Sequence, residues 1–572
     1  MRSLRYFLAC ILLVSCAARC DQEVGQETSA AAQKSAPRKA PEPIIGGVAK
    51  VSREACTSPC AVFFDAISDW SWEQIESSRF TWSFSDGTTA EGFMAARVFE
   101  LSEGESKKIF EAKLVVERDG FLIARDARTV TVRPLRGRTI CVAERDFSGC
   151  PTKARANHFR DPRAAWNAIE TNGRILFRRG DSFSPGIRFG STVPGPVHVG
   201  AFGDLGKARP SLTQSGGSWR LASAWSVTDL DISGAEISGT VVSIRGHHTL
   251  VMRSHIHDAD AAFVSNGQGY DFSTHKFLVD NLATNIRGTN YIAGDRIAMM
   301  GNHMERWGEK HHTIRIGGGK HVLIANNVLI SDVGHSSVTV RGSSSGNRPG
   351  SDYVLVQGNL LMQRATVHPQ NDRSNEFLRR VIWERNAHVP NDNQPTIQNG
   401  LSANGHDMVI RNNVFHQVRR AINLETHPLV GASHNIHVYQ NTHYVDRDPD
   451  SKNHFCNVSE GSSGVVIGSN LAVLHSRSDS AAFVVGDASV TGNYVYTPAR
   501  TSLCRLPNGS RSCANPNLAN VRDPRSQGFM LPPAGSLGID AAAAELPMSY
   551  DFRGTPRPQG GSHDIGAVEL PQ

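Results

Sequence analysis

Nine short apolar segments, each ending in an asparagine, constrain this chain more than any other feature. They are FLVDN (Asn281), IAMMGN (Asn302), VLIANN (Asn327), VLVQGN (Asn359), VIWERN (Asn386), MVIRNN (Asn413), IHVYQN (Asn441), VVIGSN (Asn470) and SVTGN (Asn493). Their spacings are 21, 25, 32, 27, 27, 28, 29 and 23 residues. Self-similarity at this period builds a solenoid. The units are rich in Val, Ile, Asn and Gly, which favour strands and turns. They lack the long 3.6-residue periodicity of paired helices. Within 301–342 two copies lie side by side, with strands expected at His312 to Ile316 and Ser337 to Arg341. Ile314, Ile316, Val338 and Val340 fall on the inward face, and Thr313, Arg315, Thr339 and Arg341 on the outward one, a period of two. Asparagine tolerates the left-handed conformation of a sharp corner, and its amide can bond the same residue one coil away. An unpaired buried amide costs about 1–3 kcal/mol, so Asn327 and Asn413 are expected to face inward in a corner ladder.

This pattern resembles right-handed parallel β-helix proteins of the polysaccharide lyase and glycoside hydrolase type, from about Arg136 to the C-terminus. The resemblance implies an all-β fold. Residues 135–220 then form the entry, with a capping helix at Pro162 to Thr171, and Ile175 to Asp181 and Val197 to Asp204 resemble the first coils of such proteins. Residues 221–500 form the core, and 501–572 an irregular tail. Asp551 to Glu569 resembles a tail that follows such helices in secreted bacterial proteins.

The N-terminal segments read differently. Arg2 and Arg5 precede an apolar run, Tyr6 to Val14, too short to span a membrane. Residues 1–20 are expected to be a signal peptide, and Leu13-Val14-Ser15-Cys16 resembles a lipobox, which implies lipidation of Cys16 and anchoring by an acyl chain. Residues 21–43 lack core-forming side chains and read as a flexible stalk. Residues 44–134 carry strand-like runs at Ala61 to Phe64, Phe80 to Phe84, Ala112 to Glu117 and Ala127 to Val132, as in a β-sandwich. Within them Trp82-Ser83-Phe84-Ser85-Asp86-Gly87 resembles the W-D-F-G-D-G turn of PKD domains, with Ser83 and Ser85 departing from it. That resemblance implies a spacer or accessory module next to carbohydrate.

Export makes disulfides possible. Cys56/Cys60, Cys141/Cys150 and Cys504/Cys513 are close enough in sequence to pair, and Cys456 is expected to be a buried free thiol. The net charge of +6 with 20% charged residues argues against a nucleic-acid binder, which needs a concentrated basic face. The expected partners are a polysaccharide and, through the lipid, a membrane; a monomer is expected at the cell surface, in the periplasm or outside the cell.

A packed interior leaves only the outer faces for chemistry. Aligning the strands gives an outward ladder of Thr313 and Arg315, then Thr339 and Arg341, then Gln398, then Asn423 and Glu425. The loop ahead adds Glu309, Lys310, His311, His312 and His335, and the stretch Gln363 to Glu376 reads as an insertion walling a groove. Arg315 and Arg341 are expected side by side. A lyase acting on uronates needs a cation to neutralise the sugar carboxylate, a base for the C5 proton and an acid for the leaving oxygen. Lys310, His311, His312 and Arg315 are the catalytic candidates; His335, Arg341, Gln398, Asn423 and Glu425 are the substrate-binding ones. A hydrolase needs two carboxylates about 5–10 Å apart, and the candidates for that, Asp258, Asp260, Glu305, Glu309 and Glu425, form no Asp-Asp pair on the ladder. A hydrolase, an epimerase and a non-catalytic surface adhesin remain as alternatives. Glu305 and Glu309 could ligate Ca²⁺, which takes oxygen ligands.

Overall fold

The structure is a computed structural model that describes residues 42–571 apart from 68–69, 185–192, 215–217, 235–238, 266–272, 308–311, 333–334, 343–349, 370–377, 392–395, 448–451, 476–481, 499–500, 505–513, 525, 527 and 543–549. Cys16, Glu309, Lys310, His311 and Cys513 therefore lie outside the described residues.

Each repeat supplies three short strands, and like strands stack in parallel from coil to coil. The first sheet contains Trp225–Thr228, Thr249–Met252, Thr274–Val279, Asp352–Gln357, Arg379–Glu384 and His406–Arg411 among others. The asparagine corner follows, then the second sheet, which runs from Ser182–Phe183 to Tyr494–Tyr496. The third sheet runs from Trp219–Leu221 to Ala482–Val485 and includes Ser336–Arg341, Arg364–His368, Ile397–Ala403 and Val418–Leu424. Two long strands, Asn290–Met300 and Ile314–Ala325, pass through the third sheet and continue into the first. This is a parallel β-helix. Its interior is filled by in-register stacks such as Met299, Ile324, Val356, Trp383 and Ile410, all fully buried.

All nine asparagines form one ladder. Each side-chain amide donates to the next Oδ1, from Asn281 to Asn493, at 2.9 to 3.1 Å. One expectation is corrected in detail. The left-handed residue at the corner is the one before each asparagine, for example Asp280 (φ 53°), Asn326 (φ 56°) and Arg385 (φ 53°). The asparagine is thereby free to turn its amide inward. Asn327 accepts from the Asn302 backbone N–H and side chain (2.9 Å each), and donates to Met299 O (3.0 Å) and Asn359 Oδ1 (2.9 Å). Replacing Asn327 by leucine orphans two donors and a carbonyl where water cannot reach. Allowing for partial re-pairing, we expect roughly 2–4 kcal/mol lower stability, measured by denaturant unfolding.

The first coil is capped by a helix, Pro162–Asn167, shorter than expected. The Asp161 carboxylate accepts from Arg163 N and Ala164 N, a strong start signal. Trp166 then packs on Trp225 and Trp219.

Residues 44–133 form a two-sheet β-sandwich. Its strands include Cys60–Asp65, Arg79–Phe84, Lys108–Arg118 and Phe121–Arg133. It is no free spacer. Outward residues of the first β-helical sheet, Leu250, Phe277, Ala298, Leu323, Leu355, Ile382 and Val409, form an apolar row in register. The sandwich buries this row. At Gly92 φ is 107°, which favours glycine, and a Cβ would lie 2.4 Å from Leu355 Cδ2, so that side chain would have to shift. Ion pairs rim the contact: Arg253 with Glu100 (2.6 Å) and Arg385 with Glu91. The C-terminal segment covers part of the second sheet in the same way, with Phe529, Ala567 and Val568 against Val414 and Ile565 against Leu471 and Tyr494.

Cys56–Cys60 and Cys141–Cys150 are disulfides, and Cys504 is disulfide-bonded. Cys456 is a buried free thiol, its pKa pushed up to about 12 by burial.

Candidate functional site

The sandwich and the tail cover apolar outward rows on the first and second sheets. The middle of the third sheet presents polar residues instead. Ile314 pairs with Val338 and Ile316 with Val340, all fully buried, so the alternate residues point outward. One outward rung is Tyr291, Arg315, Thr339, Thr366, Ser402, Asn423 and Asn457. The rung beside it carries Gly317, Arg341 and His368, and Glu425 follows Leu424 at its far end.

Arg315 and Arg341 thus share a face, but they are diagonal neighbours. Arg315 is opposite Thr339, and Arg341 is opposite Gly317. The expected alignment was two residues out of register, because the third-sheet strand begins at Ile314 and not at His312. Thr313 is fully buried and donates its hydroxyl to Ile330 O (2.8 Å), so it leaves the ladder. Gln398 is exposed at the start of its strand, and the rung position of that coil belongs to Ser402. Of the expected insertion, Gln363 to Glu376, the described part holds a third-sheet strand over Arg364–His368, with Ala365 and Val367 buried; 370–376 lie outside the described residues.

That strand adds what the sequence reading missed. Arg364, Thr366 and His368 face outward beside Ser336, Thr339 and Arg341. Three arginines now share this face, Arg315, Arg341 and Arg364, and the charges of the first and last both act on Arg341. Each has a buried Nε without a hydrogen bond. Among the described residues no carboxylate pairs with any of them, and the charges acting on Arg341 are Arg315 and Arg364 alone. Burial, with those two like charges, lowers the Arg341 pKa to about 10. Guanidiniums that no described carboxylate pairs with can take an anion from outside the chain.

Side chains able to carry a proton surround the cluster. His368 is opposite Arg341, and burial, then the Arg341 charge, lowers its pKa to about 4. It is therefore uncharged at neutral pH. His312 Nδ1 is 2.9 Å from Thr339 Oγ1, which brings this ring to the Arg315 rung. The Arg315 guanidinium lies 5.6 Å from the Tyr291 ring centroid, and the Tyr291 hydroxyl donates to Gly317 O at 3.3 Å. A Cβ at Gly317 would sit 2.0 Å from that hydroxyl, so glycine makes room for the phenol beside Arg341.

The other expected residues are spread further. Asn423 donates to Glu425 (2.7 Å) and accepts from Asn457 (2.8 Å), on the same face but coils away from Arg341. His335 sits on the corner leading into Ser336–Arg341, its backbone N–H donating to Asp332 O. Glu305 is held by His303 (2.6 Å), and its proposed Ca²⁺ partner Glu309 is outside the described residues.

No protein-family model matches the chain, and no curated protein matches it. Two solved structures resemble it. One is an alginate lyase from Paenibacillus sp. str. FPU-7, 14% identical over 62% of this chain and 99% of that one, with a TM-score of 0.25. The other is the catalytic domain of a GH87 alpha-1,3-glucanase in complex with tetrasaccharides, 9% identical over 76% of this chain and 86% of that one, with a TM-score of 0.31. Likeness at these scores carries no argument about activity, which must rest on the site.

Proposed function

We propose that the protein is a lyase that cleaves an acidic, uronate-containing polysaccharide by β-elimination on the outer face of the third sheet. The observation that carries this reading is the Arg315/Arg341/Arg364 cluster, which no carboxylate among the described residues pairs with, next to a neutral histidine and a phenol. The guanidiniums neutralise the sugar carboxylate and so acidify the C5 proton. His368 or His312 takes that proton, and Tyr291 supplies one to the leaving oxygen. A polymer lying across coils about 4.8 Å apart meets a new rung at each step. A hydrolase is less well supported: Glu425 is the one carboxylate on the described part of these two rungs.

The test is incubation with a panel of acidic polysaccharides. Elimination creates an unsaturated product absorbing in the ultraviolet. Reducing ends without that absorbance indicate hydrolysis, and retention without cleavage indicates a binding protein.

Export and lipidation at Cys16 belong to the same proposal, supported by Leu13-Val14-Ser15-Cys16 and the stalk after it. Cys16→Ser is expected to shift the protein from the membrane to the soluble fraction. A wild type that is already soluble and unlipidated refutes the anchor.

A further inference from the structure

A second cluster lies on the outward face of the second sheet, in earlier coils. Ile232, Ile256 and Ala283 point inward and are fully buried. Their neighbours therefore point out, with Asp231 opposite His255 and Ser233 opposite His257. His255 Nδ1 is 2.8 Å and His257 Nε2 3.2 Å from the same atom, Asp231 Oδ1. That oxygen is buried and neither contact is well aligned as a hydrogen bond, though both rings act to lower the Asp231 pKa; among the described residues it has no other hydrogen-bond partner.

The far side of the His257 ring settles which of its nitrogens is bare, and the far side of the His255 ring is compatible with a bare Nδ1. His257 Nδ1 is 2.6 Å from Asp258 Oδ2, an acceptor, so Nδ1 carries the hydrogen and Nε2 a lone pair. Asp258 is itself fixed by the Asn285 amide on its other oxygen. His255 Nε2 bonds the Thr284 hydroxyl at 2.9 Å; when it donates there, Nδ1 is the bare nitrogen. Two imidazole lone pairs and a carboxylate oxygen then face one point, all within 4.8 Å of one another. Such a set repels itself unless a cation sits between.

We propose that Asp231, His255 and His257 bind a divalent transition-metal ion of the zinc type. Zinc–ligand bonds of about 2.0–2.1 Å at tetrahedral angles put ligand atoms roughly 3.3 Å apart, close to the 2.8 and 3.2 Å here. A carboxylate holding the far nitrogen of a metal-bound histidine is the usual supporting arrangement. The imidazole and carboxylate donors select zinc, nickel or copper over calcium, which prefers an all-oxygen shell. Three protein ligands leave a position for water or an anionic ligand. The site is separate from the arginine cluster and does not depend on the lyase reading.

The test titrates chelator-stripped full-length protein with Zn²⁺ against a chromogenic chelator, and with Co²⁺ read by visible absorption. We expect about one tight equivalent per chain with a four- or five-coordinate cobalt spectrum. Asp231→Asn and His257→Ala should weaken binding at least tenfold, and Asp258→Asn by about 10–100-fold. His303→Ala, two coils beyond His255, should leave it unchanged. Circular dichroism and melting temperature establish that each variant folds; if His257→Ala does not, His257→Gln and Asp258→Asn carry the test. Absence of stoichiometric binding by the wild type, or binding that survives the substitutions within the cluster, overturns the proposal.

Discussion

Replacing Arg341 by alanine is expected to lower kcat/KM on a uronate polymer by about 10²–10³-fold, the usual loss when one preorganised donor to a developing anion is removed. Most of the loss should appear in kcat. As the C5 proton leaves, negative charge spreads onto the carboxylate, and the cation opposite His368 stabilises that charge more than the ground state. An effect on KM alone would assign Arg341 to uniform binding. Folding stability should not fall in parallel. Arg341 stands between Arg315 and Arg364 with no described acid to pair with, so its removal relieves repulsion. Arg341→Lys keeps the charge but loses the planar fork, and only partial recovery is expected. An alanine variant with wild-type kinetics on a cleaved substrate removes this cluster from the mechanism.

The fold was readable because its signal is periodic. The asparagine spacing located every rung of the ladder from Asn281 to Asn493, and the alternation at Ile314/Ile316 and Val338/Val340 gave the inward faces. What failed was register. A one-dimensional reading aligns strands by appearance, whereas pairing is set by the corner, and Thr313 turns inward there. The same alternation was present in Arg364-Ala365-Thr366-Val367-His368. Reading that stretch as an insertion hid Arg364 and His368. Docking was also illegible. Leu250, Phe277, Leu323 and Leu355 fill positions that alternation assigns to solvent, and only the sandwich explains them. Lys310 and His311, the residues given the proton-transfer roles, fall outside the described residues, and Tyr291 and His368 take those roles in the proposal.

Mild acid should unfold the protein well before its carboxylates are protonated. His388 and His443 are fully buried and His416 nearly so. Burial lowers their pKa values to about 3, about 4 and about 4. The hydrogen bonds give the chemical reason. Trp383 Nε1 can only donate, and it donates to His388 Nε2 at 3.0 Å, so that nitrogen cannot also hold a proton. His443 donates Nε2–H to Val418 O at 2.6 Å, and a second proton on Nδ1 would place a charge in the core. Gln417 donates to His416 Nε2 at 3.3 Å. The unfolded chain takes up these protons near pH 6.5, and the native state takes them only near pH 3–4. Between those limits the unfolded state binds more protons, so stability rises with pH. It is complete above about pH 6.5 and is lost on the way down, by up to about 1.4 kcal/mol per pH unit for each histidine. Three such groups acting together remove roughly 4 kcal/mol per unit, a large part of a typical folding free energy. Denaturant unfolding from pH 8 to 4.5 should show this slope beginning near 6.5. His388→Gln should flatten it by one histidine's share, whatever its effect on stability at pH 8; a flat profile down to pH 4.5 would mean these rings are protonated in the native fold.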